Sequence, residues 1–300
     1  MEVDKKILVQ LRNATFAGFA DCRDALLATQ NDFDAAIKWL KEKGKIKAAK
    51  KQGAIAADGV VMVYGKNDHC MALIEVNSQT DFVAKNENFL NCVNNLLNLI
   101  LENKPEGIDA LLALPYPGTN VSVNEELTQL TAKLGEKISV RRFAIMEAEG
   151  TDFVAGYTHA NKRVAAIATF RGQNEPEVVK NVMMNIVANN PTAIDKNGVD
   201  KTWLDQEYKT LLDKTIAEKK PEAIAKKIAE GRLNKELEEI CLVSEPLLTN
   251  QEVKVGQYLK DHHLEALKFI RYEVGEGIQK KQSDFAAEVA EQMNKFNGQK

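Results

Sequence analysis

The sequence predicts an α+β protein. Three observations carry that reading: short amphipathic helices before residue 55, apolar alternation from residue 59, and a later return of the same order of elements. That order is hairpin, helix, strand, and its second copy follows the first after about 90–100 residues. Two related lobes are therefore expected, each a small antiparallel sheet with helices to one side.

Residues 1–55 read as a unit of their own. "DKKILVQLRNAT" places Ile7, Leu8 and Leu11 on one helical face, and "TFAGFA" interrupts it with a glycine. Asp21 is the expected N-cap of "CRDALLAT", with Asp24 in the first turn. Asp32 then caps "NDFDAAIKWLKEKG", whose apolar residues are Ile37, Trp39 and Leu40 and whose stop signal is Gly44. Three helices this short form a three-helix domain that buries little surface by itself. The basic, alanine-rich "KIKAAKKQGAIAADG" follows. Residues 1–55 hold 11 Lys/Arg against 7 Asp/Glu, a net +4, which leaves −7 for the rest of a chain of net charge −3. The stretch reads either as a basic arm for RNA or an acidic partner, or as a linker or last helical turn. The absence of interleaved aromatics favours the linker.

From residue 59 the apolar period becomes two. "GVVMVYGKNDHCMALIEV" reads as a hairpin turning at Gly65-Lys66-Asn67-Asp68. A helix is expected from about Asn86 to Glu102, with Phe89, Val93, Leu96, Leu97 and Ile100 inward. The loop "LPYPGTN", a helix near "NEELTQLTAKLG" and the strand "KISVRRFAIME" complete the first lobe. In the second, "DFVAGYTHANKRVAAIATF" is the hairpin, "EPEVVKNVMMNIVAN" the helix and "EEICLVSEPLLT" the strand. Residues 200–237 are an insertion within it, an antiparallel helical hairpin turning at Lys219-Lys220 with Pro221 opening its second helix. Its narrow apolar stripe predicts that it projects. "VKVGQYLKDHHLEALKFIRYEVGEG" and "SDFAAEVAEQMNKF" read as two terminal helices around Gly275 and Gly277. The expected units are thus 1–55, 56–150, 151–260 and a C-terminal helical module over 261–300.

Composition narrows the function classes. With 300 residues, 44% hydrophobic and 28% charged, the chain can bury a sizeable core. A net charge of −3 makes direct nucleic-acid binding by the whole chain an unexpected property. Cys22, Cys70, Cys92 and Cys241 form no C-x-x-C pair, which suits a reducing compartment rather than a disulfide framework. "MEVDKKILVQL" has no signal-peptide core, and no apolar run approaches the roughly 20 residues that span a bilayer. A cytoplasmic location without membrane contact is expected.

Chemistry is hard to find. There is no phosphate-binding loop, and "VGEGI" lacks the spacing of a dinucleotide fingerprint. The four histidines, His69, His159, His262 and His263, are too scattered for a metal site, and no G-x-S-x-G elbow occurs. No nucleophile stands with an oriented base. The residues offer no catalytic group, no metal and no cofactor, and they describe a binding protein.

One stretch stands apart. "NSQTDFVAKNENF", residues 77–89, sets an acid beside a large aromatic where a strand gives way to a helix. Thr80 or Asp81 suits the cap of a turn, and Asn86 suits the N-cap of the long helix. Phe82 and Val83 either fold back on that helix as a hydrophobic staple, or the polar run Gln79-Thr80-Asp81 holds Phe82 at the outer edge of the loop. Both placements stand on these grounds.

"VNSQTDFVAKNENF" closely resembles the signature of the bacterial translation elongation factor Ts family. The resemblance extends through the chain in order. "LRNATFAGFADCRDALLATQNDFDAAIKWLKEKG" is similar to that family's ubiquitin-associated-type N-terminal domain. "GKIKAAKKQGAIAADGVV" is similar to its linker and first core strand, and "FIRYEVGEGIQKKQSDFAAEVAEQ" to its C-terminal module. The resemblance implies guanine-nucleotide exchange on elongation factor Tu, in a heterodimer or a two-plus-two complex. It assigns Asp81 and Phe82, flanked by Thr80 and Val83, to a loop that intrudes near the partner's Mg²⁺ site. It further implicates Arg12, Phe19 and Ala20 of the N-terminal domain, and His159 of the second lobe. Two positions depart from the family pattern: Phe19-Ala20 stands where Met-Met is common, and Asn185 where histidine is. Two rival readings are an adaptor or chaperone-type protein that binds through residues 1–55 alone, and an RNA-binding protein using "KIKAAKK".

Overall fold

The computed structural model describes residues 3–15, 17–218 and 221–279. Three helices open the chain: α1 (Lys5–Thr15), α2 (Phe19–Ala28) and α3 (Phe33–Lys51). Their shared core is Leu8, Leu11, Cys22, Ala25, Leu26 and Ala36, the positions where helical spacing brings apolar side chains onto one face. Asp32 caps α3 by accepting a hydrogen bond from the Ala35 amide at 2.7 Å, as expected.

Two expectations in this unit need correction. The N-cap of α2 is Gly18 rather than Asp21, so Phe19 and Ala20 lie in the first helical turn. Nor does Gly44 end α3, which runs on to Lys51 through the basic stretch. A glycine inside a helix costs only about 1 kcal/mol, and here its bare face meets another helix. A Cβ at Gly44 would lie 3.3 Å from the Ala132 Cβ.

The first sheet is a meander of β1 (Asp58–Asn67), β2 (Cys70–Ser78) and, later in sequence, β3 (Ser139–Glu147). Between β2 and β3 lie α4 (Asp81–Ala84), α5 (Glu87–Asn103), α6 (Ile108–Ala113) and α7 (Val123–Leu134). Val60, Ala72, Ile74, Val76 and Val140 face Phe89, Val93, Leu96, Leu97 and Ile100 of α5. Fully burying a side chain of this kind contributes about 1.5–3 kcal/mol, so this face anchors the lobe. Ser122 and Glu125 form a reciprocal capping box at the start of α7, and Gly135 ends it in the left-handed region at φ +75°.

The second lobe begins with β4 (Phe153–Thr158), β5 (Val164–Arg171) and α8 (Pro176–Asn189). The inserted hairpin is α9 (Lys201–Ala217) and α10 (Glu222–Ile240), with Pro221 as N-cap rather than first helical residue. Its turn at Lys219-Lys220 lies outside the described residues. Arg232 ties the pair together, donating to Thr215 Oγ1 at 3.1 Å and to Glu218 at 3.0 Å. Then come β6 (Pro246–Leu247), β7 (Asn250–Lys254), α11 (Val255–Asp261) and β8 (Glu265–Glu273).

The strand order of the second sheet is β4-β5-β8. This corrects two expectations. "EEICLVSEPLLT" supplies the end of α10, a 3₁₀ turn and the two residues of β6, while the third strand of the sheet is β8. The first expected terminal helix is in fact α11 and β8, broken at His263, whose φ of +53° reverses the chain without a glycine. The second, "SDFAAEVAEQMNKF", lies outside the described residues.

The two sheets pack against each other. Period-two alternation gives each sheet a second apolar face: Val61, Leu73 and Met146 from one meet Val154, Ala165 and Ile167 from the other. The outer face of the second sheet is covered chiefly by α8, with Phe153, Phe170, Val182, Met183 and Ile186 buried there. The α+β class with small antiparallel sheets is thus observed, stacked as helices, sheet, sheet, helices.

Candidate functional site

The strand β2 ends in polar residues that are nevertheless buried, namely Glu75, Asn77 and Ser78. Buried polar groups must be paired, and these are. Glu75 accepts from Arg142 Nε at 2.6 Å, Gly275 N at 2.8 Å, Arg141 Nη1 at 3.0 Å and Asn77 Nδ2 at 3.1 Å. Burial pushes its pKa up, but these four donors outweigh burial and hold the carboxyl below its ordinary range. Asn77 also donates to the Asp58 carbonyl at 3.1 Å, closing the end of the sheet. From this braced edge residues 79–85 emerge.

Thr80 is the N-cap of the single turn α4, with extended backbone and its hydroxyl accepting from the Val83 amide at 3.5 Å. Successive residues on a helix point about 100° apart, so neighbours there face different surroundings. Val83 and Ala84 turn inward and join the α5 core, whereas Phe82 turns outward and is 81% exposed. The structure therefore divides the two alternatives: Val83 packs inside and Phe82 is held out. Asp81 is exposed, with its carboxylate 2.6 Å from the Lys85 ammonium one turn on. That hydrogen bond holds the Asp81 carboxyl below the usual carboxylate range, and Arg163 adds a smaller pull in the same direction.

The loop is fixed from outside by Glu136, the residue after the Gly135 cap of α7. Its Oε1 accepts from Thr80 Oγ1 at 2.7 Å, and its Oε2 from the Thr80 and Gln79 amides at 2.9 and 3.1 Å. In return the Lys137 amide donates to Gln79 Oε1 at 3.1 Å. The Lys137 ammonium donates to the Gln52 carbonyl at the end of α3, at 2.8 Å.

Arg12, Phe19 and Ala20 are all exposed on the N-terminal unit. Phe19, 57% exposed, borders a shallow apolar groove with Leu8, Val9 and Leu27. His159 is exposed in the β4–β5 turn, with its Nδ1 3.4 Å from the Tyr157 hydroxyl. That turn abuts the end of the first sheet from which the loop leaves. The Lys162 carbonyl accepts from the Val61 amide at 2.8 Å, and Arg163 bonds Asp58, which pairs with Ser78, at 2.8 Å. The loop and the His159 turn thus spring from one edge. Asn185 faces the other way: it is fully buried and bonded to Glu245, the Pro246 carbonyl and the Leu248 amide.

Sequence reasoning missed Glu75, Lys85 and Glu136. A signal existed for the last. An acid directly after a helix C-terminus sits against the macrodipole, so it needs a partner elsewhere. Among the described residues no group of three His, Cys, Asp or Glu side chains could hold a metal, and no helix is long and apolar enough to cross a membrane. The arrangement presents an exposed aromatic, Phe82, on a braced turn.

Comparison with known proteins places the chain in a family. Residues 79–276 match the model of the family described as Elongation factor TS. The chain is 42% identical over 297 residues to Elongation factor Ts of Malacoplasma penetrans (strain HF-2), covering 98% of this chain and all of the relative. It is also 42% identical over 289 residues to Elongation factor Ts of Mycoplasmopsis pulmonis (strain UAB CTIP), covering 96% and 97% of the two chains. A match that begins at Gln79, at the root of the exposed Phe82 turn, and relatives that span nearly the whole length lead to one conclusion: the chain belongs to the elongation factor Ts family.

Proposed function

We propose that this protein is a guanine-nucleotide exchange factor for elongation factor Tu, and that the Asp81-Phe82 turn is the part that dislodges GDP. The observation that carries the reading is the outward Phe82 on a turn whose neighbours Val83 and Ala84 are locked into the core. An exposed aromatic on a rigid mount is a preformed wedge. A nucleotide bound at nanomolar strength is held by about 12 kcal/mol, so its unaided release is slow. An exchange factor favours the empty GTPase over the loaded one, and by linkage nucleotide weakens the factor equally. Much of the nucleotide's hold lies in Mg²⁺ and the donors around its phosphates. Phe82 entering beneath those elements disturbs metal and phosphates together, without any chemical step by this chain. Asp81 supplies an ionised carboxylate at neutral pH, able to leave Lys85 for a polar group of the partner.

Arg12, Phe19 and Ala20 on the N-terminal face, and His159 beside the loop, extend the contact with the same partner. The complex is a heterodimer or a two-plus-two assembly, and mass measurement of the purified complex distinguishes them. Desolvated aromatic anchors typically cost about 2–4 kcal/mol when cut to alanine. Phe82→Ala therefore slows stimulated release of a fluorescent GDP from elongation factor Tu by at least about 30-fold in stopped flow, while its melting temperature stays near that of the native chain. Unchanged release by that variant removes the wedge. An adaptor acting through residues 1–55 alone predicts no acceleration even by the native chain.

A further inference from the structure

We propose that Glu136 is a positioning residue that presets the exchange turn for its partner, and that Glu136-Lys137 sets the turn and the N-terminal unit in one frame. The inference rests on the exchange reading of the loop above. Both carboxylate oxygens of Glu136 are committed to residues 79 and 80, at 2.7, 2.9 and 3.1 Å. Because Thr80 Oγ1 donates its hydrogen to Glu136, its lone pairs are left facing the Val83 amide, which is the capping bond of α4. The carboxylate therefore fixes the rotation of a hydroxyl, the hydroxyl fixes the start of a one-turn helix, and that helix fixes where Phe82 points. A helix of four residues does not form alone, so its population rests on the inward packing of Val83 and Ala84 together with this cap.

The neighbouring residue extends the frame. Lys137 holds the Gln52 carbonyl at the end of α3, and α3 lies against α7 where Gly44 meets Ala132. The helix that ends at Gly135 thus carries the N-terminal unit on its side and the exchange turn at its tip. Glu136 touches no nucleotide. Its contribution is to keep the turn in its competent form before encounter, which raises apparent affinity in proportion to the competent fraction.

The test is stimulated GDP release from elongation factor Tu, measured against concentration of the full chain. Glu136→Gln leaves the side-chain shape but replaces one accepting oxygen with an amide nitrogen. We expect its half-saturating concentration to rise about tenfold with the saturated rate within about twofold of native, since only the preset fraction changes. Thr80→Val, which removes the hydroxyl while leaving Glu136 intact, shifts the same parameter in the same direction. In a Phe82→Ala background the Glu136→Gln change has little further effect, because the turn then carries no wedge to place. The proposal is overturned by a half-saturation shift below about threefold in both single variants. It is equally overturned by a fall in the saturated rate with unchanged half-saturation, or by an equal loss in the Phe82→Ala background. A Phe82→Ala chain that exchanges as fast as native would instead falsify the wedge itself, so the two failures are told apart.

Discussion

Glu75 has no exposed surface, yet it stays charged, because two guanidiniums, an amide side chain and a backbone amide point at it. Arg142 adds a stacking contact, its guanidinium lying 4.1 Å from the Tyr272 ring centroid. The folded pKa is depressed, so the stabilisation is fully present above the unfolded carboxyl range and is lost as pH falls through the lower, folded value. Removing one partner of a buried ion pair costs about 3–5 kcal/mol, with the lower end fitting guanidiniums that reach solvent. Glu75→Gln should therefore lower stability by about 3 kcal/mol at pH 7, read as a shift in urea midpoint, with the difference from native shrinking in acid. Equal destabilisation at every pH would refute the charge-based account. At this scale the sequence is legible for residues with local duties. Thr80 and Asn86 cap what their types suggest, and Phe82 lies beside a residue that fills the core in its place. Glu75 is not legible, because all its partners but Asn77 lie 66 to 200 residues away. For Glu136, an acid after a helix end signals a partner but not which residues, 56 and 57 positions back, supply it.

Among the elements, those with a clean apolar period were legible and those that depend on a turn without glycine or proline were not. α5 is expected from the spacing of five inward residues, and all five are fully buried. β8 is missed because nothing in "DHHLEALKF" breaks a helix; the reversal is made by His263 at positive φ. α3 shows the opposite error, a glycine that stops nothing. There the packing partner decides: a bare Gly44 lets α3 approach Ala132 of α7. Gly44→Ala should change stability by less than about 1 kcal/mol, since the gain in helix propensity offsets the crowding. Gly44→Leu has no such escape. It should separate the N-terminal unit from α7 and speed tryptic cleavage near Lys50 and Lys51, followed by gel electrophoresis over time. Cleavage at the native rate would show that α3 does not depend on this approach.

Across the molecule two sheets meet along an apolar seam, and at Gly156, an exposed position of β4, they come close. A Cβ there would stand 2.4 Å from Val63 Cγ1 and 3.1 Å from the Met71 sulfur. Overpacking of this kind costs about 1–3 kcal/mol, so Gly156→Ala should lower the urea midpoint and loosen the join between lobes. An unchanged midpoint would mean that the seam has slack. The seam is also where sequence reasoning fell short. Alternation marks which residues of a strand face inward, but not which sheet meets them, and two lobes with helices to one side left their second faces unassigned.

The late position of β8 has a consequence for synthesis. Beside β4, strand β5 receives its second partner when Ala165 pairs with Tyr272, about 100 residues further along the chain. The N-terminal helices and the meander of β1, β2 and β3 can close while the ribosome is still translating the inserted hairpin. During that interval β5, with Ala165, Ala166, Ile167 and Ala168 all destined to be buried, is an open edge able to accept any passing strand. A protein of the translation machinery thus carries its own interval of vulnerability on the ribosome, and the length of that interval is set by how fast residues 172–273 are made.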